Sequence, residues 1–254
     1  MKKALFLFLL FLLAGITAKA QPDLQSLQQE WVDAIKMGDS TSGFYWDDRS
    51  LIYSKIKTGD AESIMQVFKK EEIHNLQGYS PIQSFQHDTF RYITVGKLFT
   101  SADSLMLLTG WREVEGSWLK ETDVILTLES ETTQISSVSD RLFDQERKKW
   151  VELANQHNPE AHIKVSYTED ATYFGNGRKS EGRQEIAERY SYMENPNYQV
   201  DLEKERLWRI SESNVLEIGR YFTGAERRGN GGLYVILWEK QESGEWQIEL
   251  DFNF

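Results

Sequence analysis

The chain has 254 residues, 40% of them apolar and 13% aromatic, with 29 Lys plus Arg against 40 Asp plus Glu, a formal charge of −11 and no cysteine. That length and apolar content support one large or two small packed domains rather than disorder. The negative charge argues against nucleic acid and anionic membrane surfaces as partners, and the lack of cysteine excludes disulfides, thiol nucleophiles and Cys-ligated zinc.

The chain opens like a secretory signal. Lys2 and Lys3 precede an apolar run over residues 4–17, and Ala18-Lys19-Ala20 fits the small-x-small cleavage pattern. Cleavage would leave Gln21 first and take the charge from −11 to −14, because residues 1–20 hold three lysines and no acid. No cysteine follows the run, so lipoprotein attachment is excluded. The expected location is secreted or periplasmic, with no membrane association after cleavage.

Residues 23–38 place Leu24, Leu27, Trp31, Ala34 and Ile35 on one helical face, with Asp23 as N-cap. Phe44-Tyr45-Trp46-Asp47-Asp48 and Gly59 come next, then a helical pattern carrying Ile64, Val67 and Phe68. Residues 71–90, with His74, Gly78, Pro81 and His87, read as an inserted loop, although the part up to residue 77 fits a helix extension equally well. Strands are expected near 90–99, 104–114, 119–129 and 132–138. The Ser/Thr-rich stretch 130–139 is thus read as a last strand and stiff junction rather than a linker.

A second helix is expected from Asp140, with Phe143, Trp150, Leu153, Ala154 and His157 at helical spacing. Ser166-Tyr167-Thr168-Glu169-Asp170 and Gly182 follow, then a helix with Ile186, Ala187 and Tyr190. Strands are expected near 205–212, 214–224, 232–240 and 245–253. In the last, Trp246, Ile248, Leu250, Phe252 and Phe254 alternate with Gln247, Glu249, Asp251 and Asn253, which predicts one apolar and one polar face.

This order occurs twice. Trp31-Val32-Asp33 answers Trp150-Val151-Glu152, and each half continues through paired acids, a glycine and a helix to long strands. Ile125-Leu126 is aligned with Ile236-Leu237, and Gln134-Ile135 with Gln247-Ile248. The reading is α+β, with two tandem domains at 21–138 and 139–254, the first carrying the insert near 71–90.

The second half resembles the NTF2-like superfamily, and more nearly its SnoaL-like and DUF4440-like members. The resemblance rests on Trp150, Tyr167-Thr168-Glu169-Asp170-Ala171, Gly182, Ile186, Gly232-Leu233-Tyr234, Trp238 and the ending from Gly244 to Asp251, about 115 residues in all. It implies cone-shaped domains, each a curved antiparallel sheet wrapped around helices, with a cavity at the wide mouth. It does not imply one activity, because such folds host isomerases, dehydratases, epoxide hydrolases, transport adaptors and oligomerising modules.

The positions matching the isomerase machinery are unfilled. The base position falls on Gly175 in one copy and Tyr53 in the other, the phenol position on Trp150 or Trp31, and the second acid near Ile236. Asp170, like Asp48, has a backbone-capping explanation. Glu249, Asp251 and Asn253, with Arg183, Arg209 and Arg220 as partners, could line the cavity, but the plainer reading turns that face to solvent. His157 and His162 flank Asn158-Pro159 and share no helix face, so no metal site is expected, and no cofactor is implied. The loop 224–232 reads as a glycine-rich hairpin lip.

The aromatic set is the strongest sign of binding. Tyr167, Tyr190, Trp208, Tyr221 and Trp238, with Asp251, are the predicted ligand-binding residues, and rings with polar tips suit a small apolar or aromatic ligand. The expected function is non-catalytic small-molecule binding. The alternatives are a hydrolase- or isomerase-type enzyme using Asp251, Glu249 or Asp170, and an interaction module whose sheet faces form an intramolecular pseudo-dimer or a homodimer.

Overall fold

A computed structural model describes residues 22–54, 58–59, 76–101, 103–129 and 140–254. The signal-like segment, the helix with Ile64, Val67 and Phe68, His74, and the expected strand at 132–138 lie outside these residues.

The first half begins with α1 (Leu24–Met37). Asp23 caps it by accepting from the Ser26 N–H at 3.0 Å, and Gly38 ends it in the left-handed conformation at φ 73°. Trp31, Val32, Ala34 and Ile35 are buried along one face. Next come β1 (Leu51–Ser54), β2 (Thr58–Gly59), β3 (Gly78–Gln86), β4 (Arg91–Phe99), β5 (Ser104–Val114) and β6 (Ser117–Thr127), in the sheet order β2-β1-β6-β5-β4-β3.

The second half repeats the plan. α2 (Asp140–Ala154) leads to α3 (Pro159–Ser166), which starts with Asn158 accepting from the Ala161 N–H at 3.1 Å and Pro159 in the first turn. β7 (Tyr167–Gly175), β8 (Arg178–Glu181), α4 (Gly182–Arg189), β9 (Val200–Arg209), β10 (Asn214–Thr223), β11 (Gly231–Lys240) and β12 (Trp246–Asn253) follow. The sheet order is β8-β7-β12-β11-β10-β9. In each half the first strand runs parallel to the last and the other pairings are antiparallel. The α+β class and the tandem plan are therefore as expected.

Two expectations are corrected. The segment read as an insert near 71–90 contains β3, the first of four long strands, which pairs with β4 from Gly78↔Phe99 to Gln86↔Tyr92. The internal alignment consequently shifts by one strand: β6 lies between β1 and β5 as β12 lies between β7 and β11, while the strand expected at 132–138 falls outside the described residues. Ile125 therefore corresponds to Asn253, and Leu107, its partner on β5, to Tyr234.

The strict alternation expected in β12 is also broken. Trp238 pairs with Ile248 but Leu237 pairs with Leu250, so Glu249 is an extra residue, a β-bulge. On either side of it the faces exchange. Trp246 and Ile248 join the core under the helices, whereas Leu250, Phe252 and Phe254 join a core between the two sheets. Asp251 and Asn253 therefore turn toward the helices. β6 has the same irregularity, with Gly110↔Thr122 and Trp111↔Lys120 leaving Glu121 unpaired.

The sheets pack on each other. Val95, Met106, Leu108, Val124 and Leu126 from the first half share one buried cluster with Leu216, Ile218, Val235, Leu237 and Phe252 from the second. Close approach is needed at Gly110, where an added Cβ would lie 3.1 Å from the Phe252 ring. At the margin of this cluster the Tyr53 hydroxyl donates to Glu249, and Arg206 donates to Gln83 at 3.1 Å.

Candidate functional site

The last residues of β12 meet α2, α4 and β11 on the concave side of the second sheet. A cavity of about 240 Å³ opens there. Its wall includes Trp150, Met193, Val200, Leu202 and Ile236 together with six tyrosines: Tyr173, Tyr190, Tyr192, Tyr198, Tyr221 and Tyr234. Tyr192 is 52% exposed and stands at the opening, packed against Tyr198 at 5.3 Å between ring centroids.

Asp251 is the acid of this cavity and is 2% exposed. The bulge at Glu249 aims it inward, and it sits opposite Ile236 in the β11–β12 register. Tyr167 and Tyr190 both donate their hydroxyls to its Oδ2, at 2.6 and 2.7 Å. Burial pushes its carboxyl up to about 6, and the hydrogen bonds from Tyr167, Tyr190 and Asn253 oppose that rise. Burial, reinforced by the carboxylate's negative charge, lifts both phenols well above the usual tyrosine range, so they stay protonated and remain donors. Among the described residues, no Lys, Arg or His forms an ion pair with Asp251.

A second buried acid supports the wall. Glu217 on β10 is fully buried, and it accepts from Arg147 at 2.8 Å, from the Tyr234 hydroxyl at 2.7 Å and from the Trp238 indole at 2.9 Å. Every partner is a donor, so this group fixes the Tyr234 and Trp238 rings in place.

The structure brings three of the predicted ligand residues, Tyr167, Tyr190 and Asp251, into one network, and Tyr221 joins the wall with its hydroxyl on the Phe254 carbonyl at 2.8 Å. Trp208 lies elsewhere, because β9 turns it toward the other sheet, where it meets Phe85 edge-on at 6.2 Å. Trp238 is core, packed on Phe143 at 5.8 Å and tied to Glu217. Glu249 sits at the junction of the sheets, accepting from Tyr53 and from Asn214 at 3.4 Å, and Asp170 is exposed on β7. Arg183 donates to the Tyr167 carbonyl at 2.8 Å and Arg220 to Glu205 at 2.7 Å.

Among the described residues, His87, His157 and His162 take structural places. His162 is buried against Trp150 at 4.7 Å and beside the Ser166 hydroxyl at 3.2 Å, and burial pushes it down to about 4. His157 contacts the Met193 carbonyl at 3.0 Å, and His87 stacks on Phe254 at 5.8 Å. Among the described residues no group of three or more His, Asp or Glu side chains is arranged to hold a metal, and no helix is long and apolar enough to cross a membrane. The glycine-rich lip is tied down by Arg227, which reaches Asp201 and Glu203, each within 2.7 Å.

The positions matching the isomerase machinery hold Gly175, Trp150 and Ile236 in this half. The structure supplies an acid and phenols from other positions. The acid comes from β12, across from Ile236, and the phenols come from the start of β7 and the end of α4. The period-two pattern of β12 held no sign of the bulge that makes this possible.

No family model and no curated protein sequence matches the chain. Solved structures similar to parts of it include an NTF2-like protein of unknown function from Shewanella oneidensis MR-1, at 19% identity and TM-score 0.39, covering 44% of this chain and 94% of that one. A ketosteroid isomerase-like protein from Erwinia carotovora atroseptica SCRI1043 is similar at 17% identity and TM-score 0.37, covering 46% and 95%. A putative scytalone dehydratase from Novosphingobium aromaticivorans DSM 12444 is similar at 14% identity and TM-score 0.38, covering 48% and 86%. In its own topology, twice over a strand and its hairpin partner followed by four further strands of the same sheet, the chain is a tandem pair of α+β domains.

Proposed function

We propose that the second half binds a small ring-bearing molecule in the tyrosine-lined cavity, with Asp251 as its polar anchor. The observation that carries this reading is a buried acid at the wall of an aromatic cavity, held by two phenols. Such a lining, mostly aromatic with one convergent polar group, is the usual composition of a small-molecule site. The volume matches a single ring with a short substituent. The signal-like residues 1–20 support placing this binding outside the cytoplasm, and the sheet-to-sheet core supports reading the two halves as an intramolecular pseudo-dimer.

An enzymatic reading has one observation in its favour: a carboxyl raised to about 6 is poised for proton transfer near neutral pH. Against it, the two hydroxyls that would stabilise a developing oxyanion are both spent on Asp251 Oδ2. Binding without turnover is therefore the reading preferred.

The test is a panel of single-ring compounds screened against the intact chain by thermal shift and tyrosine–tryptophan fluorescence. Leu202→Trp, which fills the cavity from its wall, serves as control. Compounds that bind the parent should fail on the variant. Equal binding to both would remove the cavity from consideration, and turnover of any bound compound that is lost in Asp251→Asn would favour the enzyme.

A further inference from the structure

The two halves hold the same constellation in two states of completion. Asp123 pairs across β5–β6 with Thr109 as Asp251 pairs across β11–β12 with Ile236. Two positions earlier in the register, Trp111 faces Lys120 as Trp238 faces Ile248, with the bulged glutamates Glu121 and Glu249 between. Tyr45 bridges to Lys120 in parallel, as Tyr167 pairs with Ile248. The Tyr45 hydroxyl donates to Asp123 Oδ2 at 2.7 Å, as Tyr167 does to Asp251 Oδ2 at 2.6 Å. Trp31 and Trp150, each buried on the first helix of its half, stand beside those same hydroxyls.

In the first half the constellation holds an alkylammonium. Lys120 is fully buried, and its Nζ lies 2.9 Å from Asp123 Oδ2 and 3.5 Å from the centroid of the Trp31 ring. Tyr45 and Trp111 present their rings to the same nitrogen at 5.6 Å. Counter-charge and ring faces together are what a desolvated ammonium requires.

The second half keeps the aspartate, the tyrosine and both tryptophans, and replaces the lysine by Ile248. The acid remains, its cation is gone, and a cavity of about 240 Å³ lies beside it, walled by further tyrosines. Both hydroxyl donors go to Oδ2, and Asn253 is the third side-chain donor to the carboxylate. A carboxylate has about four acceptor sites on its two oxygens, so a ligand donor from the cavity can add to these three. The strongly negative chain also raises the local concentration of cations.

We propose that the ligand of the second half is a small organic ammonium, a ring-bearing amine whose charged nitrogen reaches Asp251 from the cavity and supplies the counter-charge that Lys120 Nζ supplies to Asp123. This rests on the cavity being a ligand site and names the chemical class that it takes. The first half then shows the same acid satisfied by a tethered ammonium among aromatic rings.

Isothermal titration of the full chain at pH 7.5 with three size-matched probes tests this: 2-phenylethylamine, 2-phenylethanol and 3-phenylpropanoate. The amine is expected to bind at least tenfold more tightly than the alcohol, with no detectable binding of the carboxylate. Asp251→Asn should bring the amine and the alcohol to within about twofold of each other. Ile248→Lys, which plants the first half's own ammonium, should abolish amine binding; if that variant does not fold, Asp251→Asn decides. An alcohol bound as tightly as the amine overturns the ammonium assignment and leaves the cavity reading standing. Amine binding unchanged in Asp251→Asn overturns the assignment of the acid. If no ring compound of any charge binds the parent chain, the cavity reading falls and this inference with it.

Discussion

Lys120 and Ile248 occupy one register position in the two sheets, each opposite a tryptophan and each just before a bulged glutamate. The exchange of a charged side chain for an apolar one at that position separates a closed constellation from an open one. In the first half burial holds the Lys120 ammonium down to about 8, and Asp123 partly restores it.

Lys120→Met should therefore strand Asp123 in the first core without its cation. Breaking a buried pair in this way costs about 3–5 kcal/mol. Adding Asp123→Asn, which keeps an acceptor for Tyr45 and Thr109, should recover at least half of that loss. Urea denaturation of the single and double variants measures both.

Asp251 makes an opposite contribution to pH dependence. Its folded value of about 6 lies above its ordinary 3.8, so the native state holds the proton more firmly. Its stabilising contribution is full below about pH 4 and is lost as the pH rises through 6, an effect on the order of 3 kcal/mol. Asp251→Asn should thus gain stability relative to the parent at pH 8 and lose that advantage at pH 4. Thermal melts at the two pH values give the comparison.

His162 runs the other way. Its folded value of about 4 lies below its ordinary 6.5, so stability is lost as the pH falls from 6.5 toward 4. Between pH 4 and 6 the Asp251 and His162 contributions oppose each other, and the parent should show a shallow dependence there. In Asp251→Asn the His162 contribution loses the Asp251 contribution that opposes it, so the same acid limb should steepen. A variant whose limb is as shallow as the parent's would contradict this assignment.

Gly219 lies where the Tyr234 ring passes over β10. An added Cβ would come 2.4 Å from the Tyr234 hydroxyl and 2.4 Å from the Glu203 carbonyl. Gly219→Ala should displace Tyr234 from Glu217 and cost about 1–3 kcal/mol through overpacking. Ligand binding should weaken with it, since Tyr234 is part of the cavity wall. Chemical denaturation and titration of the variant check both effects.

Phe252 stacks on Phe174 at 5.6 Å and meets Phe254 edge-on at 4.9 Å in the core between the sheets. Phe252→Ala should cost about 3–5 kcal/mol. If the sheets stabilise each other, one cooperative transition should become two in this variant, measured by calorimetry.

Much of the helix and strand order was legible, because helical spacing around Trp31 and Trp150 and the long strands of the second half are strong local signals. β3 was not, since Pro81 and a mostly exposed set of side chains on an edge strand look like a loop. The turn of Asp251 into the cavity was hidden for a different reason. Both faces of β12 are buried against something, so apolar residues alternate smoothly through the bulge, and nothing in the pattern marks where the faces exchange. The misplacement of Trp208 has the same origin: a strand's period tells which residues share a face but not which face meets the helices.

The extra residue at Glu249 makes the site a matter of parity. Removing or adding one residue between Gln247 and Leu250 would turn Asp251 and Asn253 toward the opposing sheet and drive Leu250 and Phe252 into the cavity. A substitution anywhere in the same stretch leaves their orientation alone. The constraint on this strand is therefore on its length more than on its letters: two chains with very different residues but the same count would keep an inward acid, and two nearly identical chains differing by a single deletion would not.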